Sequence, residues 1–394
     1  MRELPQPTWL DGSEAVSLRC DGRQLAVRPV PHVLRKGRDD MNARNVPSMA
    51  LMAGLILASS HVGVGASDKK KASAAAAPTL VWPLPPDPPR IRFVTAYYGI
   101  NDFKKKNGRW KSMLLGPDQE QHVDRLMKPY GVAAARDGRV FVTDTAARRV
   151  FVFDPKARSV GFIGENGAGK ISKPVGVAVD DSGTAFVADA TLKRVFGYAP
   201  DGQLAIAIGH EGELQNPSGL AIDRQRRQLY VADAKKHQVL CYSAADGRFI
   251  RAIGKRGVEH GEFNFPTNLT VDREGRLYVA DTLNFRIQVF DAAGTFVKSI
   301  GSQGDGPGHL NRAKGVGVDS EGHIYVADTS FNNFQIFDAD GQILLFVGAT
   351  GTGPGEFLLP AGLFVDDEDR IYIADQGNAR VQVFQRVSAD VRPK

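Results

Sequence analysis

The sequence predicts an all-β protein: a six-bladed β-propeller of four-stranded antiparallel blades, closed by an N-terminal strand. The first observation is a repeat, because the twelve residues VADTLNFRIQVF (Val279–Phe290) return with variations every 44 to 48 residues. Each copy carries an aspartate at its third position, and the six are Asp144, Asp189, Asp233, Asp281, Asp328 and Asp375. The second observation is that short β-rich runs alternate with Gly and Asp turns, which indicates antiparallel strands. Four strands at this period are typical of a propeller blade.

The fourth unit shows the order of the elements most clearly. Its first strand is FPTNLTVD (Phe265–Asp272), and the tight turn REG leads to the second strand at Arg276–Asp281. A four-residue link precedes the third strand at Arg286–Asp291, and the turn AAG precedes the fourth at Thr295–Gly301. A sheet of this size cannot cover both of its faces alone, so neighbouring copies are expected to stack face to face.

The ends of the repeat region predict how the ring closes. The last unit, Leu359–Phe384, has three strands where the others have four. The missing outer strand has a candidate at the other end, because RFVTAYYG within Arg90–Gly99 is similar to the unit-ending TFVKSIG. Pairing it with the bare edge would satisfy that edge and close the ring at six blades.

The N-terminal part predicts a targeting segment. From Met41, a short region with Arg44 is followed by the apolar run Ala50–Ala58 and by small residues ending at Ala66, as in a signal peptide. The run is short for a membrane span, although an uncleaved anchor stays an alternative. We expect a periplasmic or extracellular protein with no stable membrane span after cleavage. The predicted divisions are a mis-called extension (1–40), the signal peptide (41–66), an Ala/Lys/Pro-rich linker (67–89), the propeller (90–386) and a tail (387–394).

One short helix is predicted between the closing strand and the first blade. Within Asp102–Met127, the side chains of Trp110, Met113 and Leu114 share helical spacing. We expect this helix to pack against the propeller.

The repeat also carries a family resemblance. The string GEFNFPTNLTVDREGRLYVADTLNFRIQVFDAAGTFVKSIG (Gly261–Gly301) resembles an NHL repeat, and the other five units match it with modest departures. The region from about Arg90 to Phe384 resembles exported bacterial six-bladed NHL propellers, including KPYGVA at the start of the first blade (Lys128). The resemblance implies the fold; it does not imply an activity, because the shared residues are those that build blades.

Four of the six repeated aspartates have an arginine five residues later. The pairs are Asp144 with Arg149, Asp189 with Arg194, Asp281 with Arg286 and Asp375 with Arg380. Each pair brackets the link between the second and third strands, which predicts a charge-assisted hydrogen bond across that hairpin. A metal-binding ring of carboxylates would require the innermost strand, so we interpret these pairs as structural.

Composition argues against several functional classes. The formal charge of +6 comes from 50 basic and 44 acidic residues spread along the chain, which is a weak signal for nucleic acid. Of the two cysteines only Cys241 lies in the repeats, so no Cys-rich metal site is predicted there. Histidines in separate blade connectors and the acidic turn Val365–Arg370 lack converging ligands. No cofactor and no metal site is therefore predicted.

Enzymes on related propellers suggest one alternative. Resemblance to zinc-dependent amidating lyases would imply histidine just after the proline of the first strand, and the six slots here are Tyr130, Val175, Ser218, Thr267, Lys314 and Ala361. Resemblance to lactonase-like propellers would imply an axial set of Glu, Asn and Asp. Asn268 does replace the glycine of the other five units, but no axial acidic partner is evident. A metal-dependent lyase or hydrolase at the axis remains the alternative.

The residues that vary between units predict the functional surface. They form a basic, aromatic and polar rim at one mouth of the axial channel, and they are Lys128, Tyr130, Lys173, Ser218, Phe265, Thr267, Asn268, Arg312 and Lys314. Rigid aromatic and cationic side chains suit recognition of a peptide, an acidic group or a sugar. We expect a non-catalytic monomer that binds a protein or peptide partner, and not nucleic acid, at this rim. A solvated rim without a ligand is the competing interpretation.

Overall fold

Six β-sheets are arranged around an axis in the computed structural model, which describes residues 80–103 and 125–387. In chain order the strands are β1 (Val81–Trp82), β2 (Ile91–Tyr97), β3 (Pro129–Ala134), β4 (Val140–Asp144), β5 (Arg149–Asp154), β6 (Ser159–Ile163), β7 (Pro174–Val179), β8 (Ala185–Asp189), β9 (Arg194–Tyr198), β10 (Leu204–Ile208), β11 (Pro217–Asp223), β12 (Gln228–Asp233), β13 (Gln238–Ser243), β14 (Phe249–Ile253), β15 (Pro266–Val271), β16 (Leu277–Asp281), β17 (Arg286–Phe290), β18 (Phe296–Ile300), β19 (Ala313–Val318), β20 (Ile324–Asp328), β21 (Asn333–Phe337), β22 (Ile343–Val347), β23 (Pro360–Val365), β24 (Arg370–Asp375) and β25 (Arg380–Arg386). Blades 1 to 5 are the consecutive groups of four from β3 to β22, and all their pairings are antiparallel. The predicted fold class is confirmed.

The sixth blade is completed by the N-terminal strand, as predicted. Strands β23, β24 and β25 are followed by β2, which pairs antiparallel with β25 and sets Phe93 opposite Phe384. The edge of the last unit is therefore covered by the chain's own earlier segment, and the ring is closed.

The predicted linker 67–89 contains a short strand near its C-terminal end. Val81–Trp82 adds a fifth strand outside β2, and the indole of Trp82 lies edge-on to Phe384 at 5.7 Å between ring centroids. The cause is the aromatic ring, because it supplies apolar surface that a Pro-rich composition alone does not suggest. The predicted segments 1–40 and 41–66, the helix around Trp110 and the tail beyond residue 387 lie outside the described residues.

Helical structure is scarce in the described ranges. Three 3₁₀-helices occur there, at Ile100–Asp102, Gly167–Gly169 and Thr282–Asn284. Within residues 80–103 and 125–387, no helix has the length and apolar character needed to cross a bilayer.

The core lies between neighbouring blades. Between blades 5 and 6, Phe334, Phe357 and Phe384 are fully buried and contact one another, with ring centroids 5.4 to 6.1 Å apart. Equivalent apolar clusters fill the other interfaces, so burial between sheets is the main stabilising term.

At the axis, first strands of adjacent blades approach closely. A Cβ atom on Gly131 would lie 2.4 Å from the carbonyl oxygen of Val175, and one on Gly176 would lie 2.1 Å from that of Ser218. Glycine is required there because any side chain would overlap the next blade. In blade 4 this slot holds Asn268, so the regular packing is interrupted at the interface that Asn268 faces.

Deletion of Arg90–Gly99 tests the closure. We expect a loss of several kcal/mol in the free energy of unfolding and increased aggregation, because the edge of β25 would be left unpaired. Urea-induced unfolding and light scattering measure both effects. A ten-residue deletion in the upstream predicted linker (67–76) is the control and should leave both unchanged; unchanged stability after loss of Arg90–Gly99 would contradict closure by this strand.

Candidate functional site

The repeated aspartates are buried hydrogen-bonding hubs. In blade 1, Oδ2 of Asp144 accepts the backbone N–H groups of Met127 at 2.6 Å and Lys128 at 2.9 Å. Its Oδ1 accepts those of Ala146 at 3.0 Å and Ala147 at 2.8 Å. One carboxylate thus ties the segment entering the first strand to the link between the second and third strands.

The other five aspartates are also fully buried and accept backbone N–H groups from the segment before the first strand. In blades 1, 2 and 5 one of those donors is itself a rim residue, and the three are Lys128, Lys173 and Arg312. The aspartates therefore hold the backbone of the predicted rim.

The predicted aspartate–arginine bonds form in two of the four blades. Arg286 donates through Nε to Asp281 at 3.0 Å, and Arg380 donates through Nε to Asp375 at 2.7 Å. Burial raises the pKa of the Asp281 carboxyl, whereas its N–H donors and Arg286 oppose that rise.

The prediction is wrong for Asp144 with Arg149 and for Asp189 with Arg194, because neither pair is bonded. Arg149 instead forms an ion pair with Glu165 at 2.8 Å. The reason is acceptor capacity: both oxygens of Asp144 and of Asp189 already accept two backbone N–H groups each, which uses all the lone pairs.

In blades 4 and 6 one carboxylate oxygen of the repeated aspartate is available to arginine, because one of the backbone N–H groups donates to a different acceptor. Phe265 has φ +55° and donates to Nδ1 of His237 at 3.2 Å, and Leu359 has φ +54° and donates to Oδ1 of Asn332 at 2.8 Å. A positive φ at a bulky residue is unusual and is a strained conformation. It leaves the Phe265 and Leu359 side chains exposed at the start of the first strand.

The starts of the first strands and the links between second and third strands share one face of the ring, which we call the rim face. Four predicted site residues lie around its axial mouth, namely Lys128, Tyr130, Arg312 and Lys314. The ammonium group of Lys314, from blade 5, lies 5.4 Å from the ring centroid of Tyr130, in blade 1. Burial, then the neighbouring Arg312 and Lys128, lowers the pKa of Lys314 to about 8. Burial also raises the pKa of Tyr130.

The remaining rim residues divide into free and engaged side chains. Lys173 is exposed, and Phe265 lies edge-on to His237 at 4.8 Å. The Ser218 hydroxyl donates to carbonyl oxygens, including that of Pro266 at 3.3 Å in the next blade. The Thr267 hydroxyl lies 2.6 Å from that of Thr282. The hydroxyl groups of Ser218 and Thr267 are therefore already engaged in hydrogen bonds within and between blades.

An axial cavity of about 450 Å³ runs between the first strands. Of the predicted site residues, only Tyr130, Ser218 and Asn268 line it. The oxygen Oδ1 of Asn268 accepts the N–H of Leu269 at 3.0 Å, while its Nδ2 has no hydrogen-bond partner among the described residues. The cavity therefore shares Tyr130, Ser218 and Asn268 with the rim, whereas the cationic side chains of the rim do not line it.

Sequence reasoning missed a ring of ion pairs at the other end of the cavity. On the opposite face, which we call the turn face, four side chains alternate in charge: Arg136–Asp181 (3.2 Å), Asp181–Arg224 (3.3 Å), Arg224–Asp367 (2.9 Å) and Asp367–Arg136 (3.2 Å). Asp367 lies in the acidic turn Val365–Arg370, which the sequence analysis noted, but its ion-pair partners come from blades 1 and 3. Within residues 80–103 and 125–387, no group of three His, Cys, Asp or Glu side chains is placed to hold a metal ion.

Family models match parts of the propeller. The NHL repeat model matches residues 214–242 and 263–290, in blades 3 and 4. A model described as DUF5128: 6-bladed beta-propeller matches residues 316–386. The chain therefore contains NHL repeats within a six-bladed propeller.

Curated relatives share only a short stretch. NHL repeat-containing protein 2 of Gallus gallus is 34% identical over 93 residues, which is 21% of this chain and 13% of that protein. The Homo sapiens protein of the same name is 32% identical over the same shares. The chain thus spans a small fraction of these relatives. Both are animal proteins, so the bacterial and exported character stays a prediction.

Solved structures share the fold at low identity. A streptogramin B lyase structure superposes with a TM-score of 0.52 at 11% identity, covering 66% of this chain and 94% of the lyase. A structural genomics protein of unknown function from Bacteroides thetaiotaomicron gives 0.51 at 18%, covering 66% and 70%. At these identities the likeness concerns the fold alone.

Replacing two of the repeated aspartates by alanine tests whether their buried carboxylates stabilise the fold through these hydrogen bonds. Asp281→Ala should cost about 3–5 kcal/mol of unfolding free energy, because it removes the only carboxylate paired with the largely buried Arg286 and one of the two acceptors of the buried Gln288 amide nitrogen. Asp189→Ala leaves only backbone N–H groups unpaired and should cost about 1–3 kcal/mol. Urea-induced unfolding compares them; equal losses would show that the arginine contact contributes nothing.

Proposed function

We propose that this chain is a non-catalytic binding module that holds an acidic segment of a protein partner on its rim face, as an interaction or assembly scaffold. The proposal depends mainly on Lys314. Its partly buried ammonium group lies at the axial mouth and forms no ion pair or hydrogen bond with any described residue. A charged group removed from water without a partner costs free energy. An anion supplied by a partner would offset that cost.

The charge of the rim supports an acidic partner. Lys128, Lys173, Arg312 and Lys314 bear cations on this face, and their side chains form no ion pair with a residue in the described ranges. On the turn face, by contrast, Arg136 and Arg224 are each paired with two carboxylates. The four rim cations are thus free of internal carboxylates, and they would also steer an acidic partner during association.

Exposed apolar side chains on the same face support a protein or peptide over a small ion. They lie before the first strands or in the links after the second strands: Met127, Leu192, Phe265, Leu283, Leu358 and Leu359. Large apolar anchors surrounded by polar groups are the usual source of binding energy in protein interfaces. The strained backbone at Phe265 and Leu359 keeps two such anchors outward.

Two further elements of the proposal come from the sequence. The predicted signal peptide at 41–66 supports a periplasmic or extracellular location, and the closed ring is compatible with a monomer. The competing hypothesis is a metal-dependent lyase or hydrolase at the axis. Stoichiometric zinc or calcium in the purified protein, lost on Asn268→Ala, would favour the enzyme over the binding module.

A peptide array that varies Asp/Glu and aromatic content tests the binding proposal. We expect the full chain to retain peptides in which acidic residues adjoin apolar ones, and Lys314→Met to weaken the retained peptides about tenfold or more, since a desolvated charge pair is lost. Binding should weaken as pH rises through about 8, where Lys314 loses its proton in the free protein. Fluorescence anisotropy at pH 7 and pH 9 measures both.

Two controls keep the result specific. Lys298→Met on the outer strand of blade 4 should leave binding unchanged. Lys314→Met should also gain on the order of 2 kcal/mol of stability at pH 7, a gain that disappears as pH rises from about 8 towards 10.5, because the folded state then no longer holds an unfavourable charge. Retention independent of acidic residues, or equal weakening by both variants, would contradict the proposal.

A further inference from the structure

The axial cavity has the size and lining of a small-molecule site. Its volume of about 450 Å³ falls within the range of ligand pockets, which is roughly 300–1,000 Å³. The walls come from the apolar first strands, including Val177, Leu220, Val271 and Phe364. Val271 and Phe364 are only partly buried, so apolar surface remains for a ligand to cover. The wall therefore suits the hydrocarbon part of a ligand.

Inside this wall, the side-chain amide nitrogen of Asn268 is free. Asn268 occupies the slot that is glycine in the other five blades, and its Nδ2 lacks a partner among the described residues. An amide donor in an apolar cavity fixes orientation by bonding an acceptor on a ligand, since an unpaired donor there costs free energy.

The turn-face mouth favours an anion. Arg136 and Arg224 belong to the ion-pair ring, and Arg273 adds a third guanidinium that donates to the backbone oxygen of Asp367 at 3.2 Å. The ring holds two carboxylates, those of Asp181 and Asp367, so guanidinium groups exceed carboxylates by one.

Four other aspartates near this mouth are engaged by their own turns or neighbouring blades. Asp223 pairs with Arg226 at 2.9 Å, Asp272 with Arg276 at 2.6 Å, Asp366 with Arg370 at 2.8 Å, and Asp319 bonds His323 at 2.9 Å. They do not neutralise the excess guanidinium. Because the ring pairs involve partly exposed groups, each contributes only about 0–1 kcal/mol and can be exchanged for a ligand carboxylate.

We propose that the axial cavity binds a small amphipathic carboxylate, with its hydrocarbon part between the first strands and its carboxylate on the arginines of the turn-face mouth. Arg224 and Arg273 supply the planar donors that suit a carboxylate. The arginines that would hold the carboxylate lie at the opposite end of the axis from the cationic rim, so the site extends beyond the proposed partner-binding function and is tested separately from it.

Isothermal titration calorimetry of the full chain with octanoate tests this site. We expect saturable one-to-one binding of octanoate and at least tenfold weaker binding of octylammonium, which has the same chain and the opposite charge. Arg273→Gln should weaken octanoate about tenfold or more. This variant should fold, because among the described residues the Arg273 side chain bonds only one backbone oxygen.

Two further variants locate the ligand. Thr270→Phe places a ring on the cavity wall and should abolish octanoate binding, whereas Lys314→Met, at the rim, should leave it unchanged. Circular dichroism melting verifies that each variant is folded. Octanoate binding that is absent, that is matched by octylammonium, or that survives both Arg273→Gln and Thr270→Phe would overturn the proposal. None of these outcomes depends on peptide binding at the rim.

Discussion

The buried carboxylate at the end of each second strand is the constraint on which the rest of the structure depends. It accepts N–H groups from the segment entering the first strand and from the link after the second, as Asp144 does with Met127, Lys128, Ala146 and Ala147. These segments would otherwise leave partly buried backbone donors without a protein partner. Some of the donors, namely Lys128, Lys173 and Arg312, also carry rim side chains. Fold and candidate site therefore share the same hydrogen bonds.

The sequence predicted the propeller well because its signals are local and repeated. Alternating strands, Gly turns and the borrowed closing strand Arg90–Gly99 can each be recognised from a few neighbouring residues. Strand β1 was missed because its role depends on one ring, Trp82, reaching Phe384 far along the chain. The fate of Arg149 could not be predicted either. It depends on the backbone N–H groups that occupy both carboxylate oxygens of Asp144, and the positions of these groups follow from the conformation of the preceding connector.

The candidate site was predicted in part for the same reason. Departures from the repeat located Tyr130, Asn268 and Lys314, and the structure places Lys314 over Tyr130 across the mouth. The ion-pair ring of the turn face joins Arg136 to Asp367, residues 231 positions apart, so periodicity contained no signal for it. The two ends of the axis consequently differ: the rim presents unpaired cations, and the turn face presents a ring of paired charges with Arg273 beside it.

If the carboxylates position the rim, removing one that holds a cationic segment should affect recognition more than removing an equivalent one elsewhere. Asp328 binds the N–H groups of Asn311 and Arg312, next to Lys314, whereas Asp233 binds those of the uncharged Gln215 and Asn216. The most direct measurement is the affinity of an array-selected acidic peptide for Asp328→Asn and Asp233→Asn, both verified as folded. The account predicts about tenfold weaker binding for Asp328→Asn and little change for Asp233→Asn. Equal affinities in the two variants would contradict it.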